Sequence, residues 1–211
     1  MLRGIFAAAA LLAAALPAFG QALEVREGSP LAFESLTIRA TQDEGVALVD
    51  VDQTFRNTTD VVREGTYTFR LPESAVVHSL SMWMEGKEKH GRVLEAGAAR
   101  EIYDSIVRSR RDPALLEEVG YRTFRVSVFP IPARDTARIL LVYAHVVDDD
   151  LGLRDLVIPL PEGVRIGAVD VRVALHDQAG TGVVDCPTHP AARIAHGEGG
   201  VSVAWAAEGA P

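Results

Sequence analysis

The residues with the clearest potential for metal or thiol chemistry lie near the C-terminus. Cys186, His189 and His196 follow the spacing Cys-x2-His-x6-His, and zinc is held tetrahedrally by three or four such ligands. Only these three are nearby, on a proline-rich stretch, so a plain loop is the favoured interpretation. Asp185 could orient His189 as a base for the Cys186 thiol, but a nucleophile and its base need hydrogen-bond reach. Neighbours this close in an irregular segment rarely achieve it.

Carboxylates are the second chemical candidates. Glu117 and Glu118 could serve glycoside hydrolysis, which needs two carboxyl groups facing each other about 5 to 9.5 Å apart. Adjacent side chains usually diverge, so a solvated pair is the favoured interpretation. The aspartates at 148–150 could bind calcium through their oxygens, but a charged turn is favoured. We therefore predict no catalytic residue, no cofactor and no metal site.

A predicted hairpin carries the candidate partner-binding residues. Trp83 falls on the solvent side of a strand predicted at 76–85, and Lys87, Lys89 and His90 follow across a turn. An exposed tryptophan can anchor a protein partner. We predict that these four residues bind a partner.

Charge and targeting limit the kind of partner. The chain has 211 residues and a formal net charge of −8, so nothing favours binding to nucleic acid or to an anionic membrane. Residues 1–22 combine a basic start, a short apolar run and small residues, which is the pattern of a secretory signal peptide. The run is shorter than the about 20 residues that span a bilayer. We expect a mature protein that is exported, periplasmic or secreted, with no membrane span after cleavage.

The elements that must position these residues are mostly strands. Apolar residues alternate with polar ones over 46–55, 64–71 and 122–130, which predicts strands buried on one face. Residues 136–147 contain an unbroken apolar run instead, which predicts a central strand covered on both faces.

One helix is predicted to supply that second cover. Apolar residues recur with a 3.6-residue period at Ala99, Ile102, Tyr103, Ile106 and Val107. After the helix, Asp112 and Pro113 predict a cap for a single turn that holds Leu115 and Leu116 and ends near Gly120. The predicted fold class is mainly β: an antiparallel β-sandwich-like domain with one amphipathic helix packed on the sheet, followed by a small β-rich C-terminal extension.

Five linked motifs resemble those of a known domain family. They are Val51-Asp52-Gln53-Thr54-Phe55-Arg56-Asn57, Tyr67-Thr68-Phe69-Arg70-Leu71-Pro72, Ala99-Arg100-Glu101-Ile102-Tyr103, Asp112-Pro113-Ala114-Leu115-Leu116-Glu117 and Phe129-Pro130-Ile131-Pro132. In order and spacing they resemble the VIT domain (vault protein inter-alpha-trypsin domain) in its bacterial exported form. We expect this domain at 31–147, with 148–211 as a β-rich extension or linker.

The resemblance implies a β-sandwich with one packed helix and no known catalytic residues. Relatives usually continue into a von Willebrand factor A domain that holds a metal through Asp-x-Ser-x-Ser, a motif that this sequence lacks. Cys186 stands where a serine is usual in the Ser-Pro-Ser-His stretch of such proteins, and Arg70 stands where a proline is usual.

The sequence therefore predicts a non-catalytic, exported interaction or adhesion module whose partner is a protein or a matrix or envelope component. Two alternatives remain open. One is a secreted hydrolase that uses an Asp/Glu pair or Cys186. The other is an envelope assembly sandwich that acts by strand addition, which needs an exposed, pairable edge strand.

Overall fold

The computed structural model describes residues 22–25, 28–90, 92–94, 115–120, 122–147, 149–150, 153–176 and 183–210. Strands dominate because apolar residues at every second position lie on one side of an extended chain. In chain order the strands are β1 (Ala22–Val25), β2 (Ala32–Asp43), β3 (Val46–Arg56), β4 (Arg63–Arg70), β5 (Val76–Met84), β6 (Lys87–His90), β7 (Arg92–Leu94), β8 (Leu115–Gly120), β9 (Thr123–Ile131), β10 (Thr136–Val146), β11 (Asp149–Asp150), β12 (Leu153–Arg154), β13 (Ile166–His176), β14 (Arg193–Gly197) and β15 (Gly200–Ala210).

These strands form two sheets and a small ribbon. The five-stranded sheet has the order β1-β4-β9-β8-β7, the eight-stranded sheet has the order β14-β15-β13-β2-β3-β10-β5-β6, and β11 pairs with β12. Most neighbours are antiparallel, but β7 runs parallel to β8 and β13 runs parallel to β2. The sheets are therefore mixed rather than antiparallel throughout. The C-terminal strands β13, β14 and β15 belong to the larger sheet.

A series of aromatic rings connects the two sheets through the core. Phe33 stacks on Phe55 with ring centres 4.4 Å apart, and Phe55 meets Tyr67 edge-on at 6.5 Å. Phe69 lies 5.4 Å from Tyr67 and 5.3 Å from Phe124. The first two rings belong to the eight-stranded sheet and the other three to the five-stranded sheet. The described residues therefore form a sandwich of two sheets over one apolar core.

Strand β10 is buried on one face only, which corrects the predicted double cover. Ile139, Leu141 and Tyr143 are fully buried, whereas Leu140 and Val142 are half-buried. The buried side chains share one core with the five-stranded sheet. An unbroken apolar run can thus occupy a strand with one open face, because aliphatic residues suit a pleated, half-buried surface.

The described residues contain no helix, which corrects the predicted fold class. Outside the described residues lie the predicted helix stripe and its neighbouring cap, which are Ala99, Ile102, Tyr103, Ile106, Val107, Asp112 and Pro113. Leu115 and Leu116, predicted as a helical turn, begin β8 instead. That strand pairs with β7 and β9, and such pairing outweighs a weak helical preference. None of the described residues forms a helix of the length and hydropathy that a membrane crossing needs.

A buried asparagine ties together the two loops in which the chain crosses between the sheets, after β3 and after β9. Asn57 is fully buried. Its amide nitrogen lies 2.8, 3.2 and 2.9 Å from the carbonyl oxygens of, respectively, Val61, Ile131 and Pro132. Its oxygen accepts hydrogen bonds from the Thr59 N–H at 3.0 Å and the Thr59 hydroxyl at 2.7 Å. We call these five residues the Asn57 corner. Pairing of both polar atoms of Asn57 offsets the cost of burying them.

Candidate interaction surface

The outer face of the eight-stranded sheet carries an ordered set of charged and aromatic side chains. Strand register places Trp83 of β5 directly opposite Arg138 of β10, and Glu88 of β6 opposite Trp83. On the other side of β10, Asp52 of β3 lies one diagonal step from Arg138, since Asp52 pairs with Leu140. Side chains at directly opposite and diagonal positions of a sheet can touch. Four neighbouring strands thus contribute to one polar surface.

Arg138 connects the members of this surface. Its Nε and Nη2 atoms donate to the two carboxylate oxygens of Asp52 at 2.8 and 2.6 Å. Its guanidinium carbon lies 4.5 Å from the centre of the Trp83 ring, within the range of a cation–π contact. The hydrogen bond to Asp52 is the main cause that raises the pKa of Arg138. Asp52 therefore holds the charged Arg138 guanidinium on one side, and the guanidinium orients the half-buried Trp83 ring on its other side.

The hairpin turn divides the predicted partner-binding residues between two faces. Glu85 and Gly86 both have positive φ, 55° and 68°, which is the geometry of a tight two-residue hairpin turn. The resulting register pairs Lys89 with the buried Met82 and His90 with Ser81. By the period of two, Lys87 and Lys89 share the core side of the hairpin edge. Trp83, Glu88 and His90 share the outer face.

Lys89 reaches across the gap between the sheets. Its ammonium nitrogen lies 3.5 Å from the backbone oxygen of Phe129 in β9 of the five-stranded sheet. Burial lowers the pKa of Lys89. This contact links β6 to the opposite sheet, so the lysine contributes to the sandwich edge. We use the name Trp83 face below for Asp52, Trp83, Glu88, His90 and Arg138.

The histidine of this face does not complete a nucleophilic relay. His90 Nδ1 lies 3.1 Å from Ser81 Oγ and 3.8 Å from Glu88 Oε1. A serine–histidine–carboxylate relay uses the two different ring nitrogens, one for the nucleophile and one for the carboxylate. Here both groups approach the same nitrogen, which is the geometry of a surface hydrogen-bond cluster.

The C-terminal candidates are not arranged as one chemical site within the part of the chain that the structure describes. The His189 ring stacks on Trp205 with ring centres 4.1 Å apart, and its Nδ1 lies 3.1 Å from Thr188 Oγ1. Its backbone N–H donates to the carbonyl of Cys186 at 3.1 Å, so the segment is a turn beside β15. Among the described residues, no three His, Cys, Asp or Glu side chains are placed to hold a metal ion. Glu117 and Glu118 lie in β8, and Asp148 lies outside the described residues.

Sequence patterns place Asp52 on the solvent side of its strand but do not connect it with Trp83. The partners come from three strands that are distant in sequence, and only the register between strands brings them together. No motif in the sequence singles out Arg138, which is simply followed by an apolar run.

A second group that the sequence did not single out lies in the core. Tyr143 is fully buried and His145 nearly so, with ring centres 5.9 Å apart. Neither the Tyr143 hydroxyl nor His145 Nε2 has a hydrogen-bond partner among the described residues. Burial raises the pKa of Tyr143 and lowers the pKa of His145. In both residues the neutral form is favoured.

Comparisons with known proteins agree with the motifs. The family model for the vault protein inter-alpha-trypsin domain matches residues 33–143. Inter-alpha-trypsin inhibitor heavy chain H4 of Bos taurus is 30% identical over 126 residues, which cover 59% of this chain and 14% of that protein. Protein mono-ADP-ribosyltransferase PARP4 of Mus musculus is 29% identical over 121 residues, which cover 57% of this chain and 6% of that protein. The chain thus spans a small part of these relatives.

A solved structure supports the fold alone. A Legionella pneumophila protein described as nutrient-binding superposes with a TM-score of 0.50 at 12% identity, covering 90% of this chain and 68% of that one. The family model covers more than half of the chain, which confirms the VIT domain drawn from the motifs but does not test the bacterial exported form. The protein belongs to the vault protein inter-alpha-trypsin (VIT) domain family.

Proposed function

We propose that this chain is a non-catalytic protein-interaction module that contacts its partner through the Trp83 face. The observation that carries the proposal is the contact of Arg138 with both Asp52 and Trp83. Tryptophan and arginine dominate the energetic centres of protein interfaces. Here the two side chains are already held in one geometry, so binding loses little side-chain freedom.

An exposed apolar patch on the same side of the sheet supports the proposal. Val46, Leu48, Val76 and Val146 are 49%, 46%, 68% and 53% exposed. Register sets Val46 beside Val146 and places Ala144 between Leu48 and Val76. The patch therefore lies on the same outer face, on strands β3, β10 and β5. Contiguous exposed apolar surface next to polar residues is a common feature of interaction sites.

The proposed partner is a protein or a matrix or envelope component outside the cytoplasm. Support comes from the signal-peptide pattern at 1–22 and from the similarity to a protein named as an inhibitor heavy chain. In this proposal His90 and Glu88 form the polar rim of the interface, and Lys87 lies on the other side of the same hairpin edge. Lys89 contributes indirectly by fixing β6 against β9.

A comparative pull-down tests the proposal. The mature chain, its Trp83→Ala variant and its Arg138→Ala variant are immobilised and exposed to the envelope fraction of the source cells. The matched control is Arg125→Ala, which removes an exposed arginine from β9 on the other sheet. We expect one set of proteins to bind the mature chain and the control but not the first two variants. Equal capture by all four proteins would refute the Trp83 face as the binding surface.

A further inference from the structure

Strand β15 is longer than the neighbour on its outer side. It pairs with β13 along its length, from Val201 opposite Leu175 to Ala210 opposite Ile166. On its other side β14 pairs only with 200–204 of β15. Among the described residues, no strand pairs with the remainder on that side. Beyond the turn that stacks His189 on Trp205, residues 206–210 form an open edge, which we call the β15 edge.

The two ends of the eight-stranded sheet differ in how they are protected. The opposite end is β6, which has four residues, Lys-Glu-Lys-His, all ionisable. Short, charged edge strands resist pairing with other chains. The β15 edge carries small residues and one charge, in the order Ala206, Ala207, Glu208, Gly209 and Ala210. Neither lysine nor proline interrupts it, so another extended chain can approach its backbone closely.

A groove on the outer face adjoins this edge. It has a volume of about 350 Å³ and lies across β2, β13 and β15. Ala206 stands opposite Asp170, and Glu208 stands opposite Ala168. Both Asp170 and Glu208 line the groove. Asp170 is paired with Arg172 at 2.9 Å, and Glu208 is the acidic residue within 206–210.

We propose that the β15 edge accepts an extended peptide strand with alternating apolar and basic residues. Unpaired backbone groups of 206–210 would supply the hydrogen bonds of strand addition. Apolar residues of the added strand would lie on the core side, next to Ala207 and the partly buried Trp205. Basic residues on the outer side would meet Glu208, since opposite charges on adjacent strands attract.

The register of the added strand also follows from the charges. Strands lie about 4.8 Å apart, so a long basic side chain can extend over the small Ala206 into the groove. At the other end, Arg165 Nη2 lies 3.6 Å from the point where a Cβ on Gly209 would stand. The basic residues of the partner therefore belong beside Ala206 and Glu208 and not beside Gly209.

This site is separate from the Trp83 face. Strands β13 and β2 lie between β15 and β3, which is the nearest strand that contributes a residue to the Trp83 face. If binding at the Trp83 face is lost, binding at the β15 edge can still be tested, and the reverse also holds.

The probe is a labelled heptapeptide of alternating valine and lysine, titrated against the full chain. A first control peptide has the same sequence with N-methylated amides, which keeps the charge and removes the backbone donors. A second control replaces lysine by glutamate. We expect the first peptide to bind, the N-methylated peptide to lose binding, and Glu208→Lys to weaken binding of the lysine peptide roughly tenfold. The same variant should bind the glutamate peptide better than the unaltered chain does.

Hydrogen exchange locates the peptide independently of affinity. Amides within 206–210 should gain protection when the lysine peptide is present, while those of β6 stay unchanged. Equal binding of the N-methylated peptide, protection elsewhere, or no binding would each overturn the proposal. Protection of 206–210 that appears without peptide and grows with protein concentration would show that a second copy of the chain occupies the edge, and would overturn the stated occupant.

Discussion

The Asn57 corner and the Trp83 face are both polar clusters that join strands, but they differ in what their polar groups contact. At the corner, a fully buried side chain bonds mainly to backbone carbonyls. On the Trp83 face, partly exposed side chains bond to one another. Backbone partners cannot move away without disturbing the fold, whereas side chains on a surface can turn to a new partner. We therefore assign stability to the first region and propose recognition for the second.

The largest expected loss of stability follows from a substitution at the Asn57 corner. Asn57→Ala would remove the amide donor that faces the carbonyls of Ile131 and Pro132 at a fully buried position. We expect the free energy of unfolding to fall by about 3 kcal/mol, measured by urea denaturation. The control is Thr58→Ala at the exposed neighbour, with a change within about 0.5 kcal/mol. A loss for Asn57→Ala as small as that of the control would remove the distinction between the two regions.

Truncation of the tryptophan should have a smaller effect on stability. Trp83→Ala removes a half-buried ring and its contact with Arg138, so we expect a loss of about 1 to 2 kcal/mol in the same denaturation experiment. The comparison predicts that this variant stays folded while it loses its partner. Unfolding of the variant at room temperature would show that Trp83 is mainly a structural residue.

Removal of the Arg138 side chain should lower the free energy of unfolding by less than removal of the Trp83 ring. The Arg138 and Asp52 side chains are 46% and 21% exposed, and solvent weakens such ion pairs. We expect Arg138→Ala to lower the free energy of unfolding by about 0.5 kcal/mol, and less at high salt. The double variant with Asp52→Ala tests the pairing: it should be little less stable than Arg138→Ala alone, because the first substitution already breaks the pair. Fully additive losses would show that the two side chains do not interact.

The smallest expected effect concerns His145, and it changes the stability only when the pH falls below neutral. Burial lowers the pKa of His145 in the folded chain below its ordinary value of about 6.5. The unfolded chain therefore binds a proton first, so this contribution to stability is complete above pH about 6.5 and is lost as the pH falls below it. His145→Gln should flatten the decline in unfolding free energy between pH 7 and 5. An unchanged pH profile would place the acid sensitivity in other groups.

The strands could be predicted from the sequence because their signal is local. Alternation at 46–55 and 76–85 agrees with β3 and β5 to within one residue at either end. The cover of β10 could not be predicted, since no local pattern states that a second sheet rather than a helix lies over Ile139.

The candidate site was predictable in part for the same reason. Trp83 could be recognised from its strand position. Its contact with Arg138 depends on the register of two strands separated by about fifty residues, which no spacing in the sequence encodes. The division between Lys89 and His90 follows from the two-residue turn at Glu85 and Gly86, which fixes which side chains share a face.

The Asn57 corner also has a consequence for protein production. Asn57-Thr58-Thr59 has the form Asn-x-Thr, the acceptor sequence for N-linked sugars in eukaryotic secretion. A sugar would attach to the side-chain nitrogen that faces three carbonyl oxygens in the folded protein. Glycan attachment and closure of the corner are mutually exclusive, so a eukaryotic secretory host would set modification of the nascent chain in competition with folding. A bacterial host without that machinery avoids the competition.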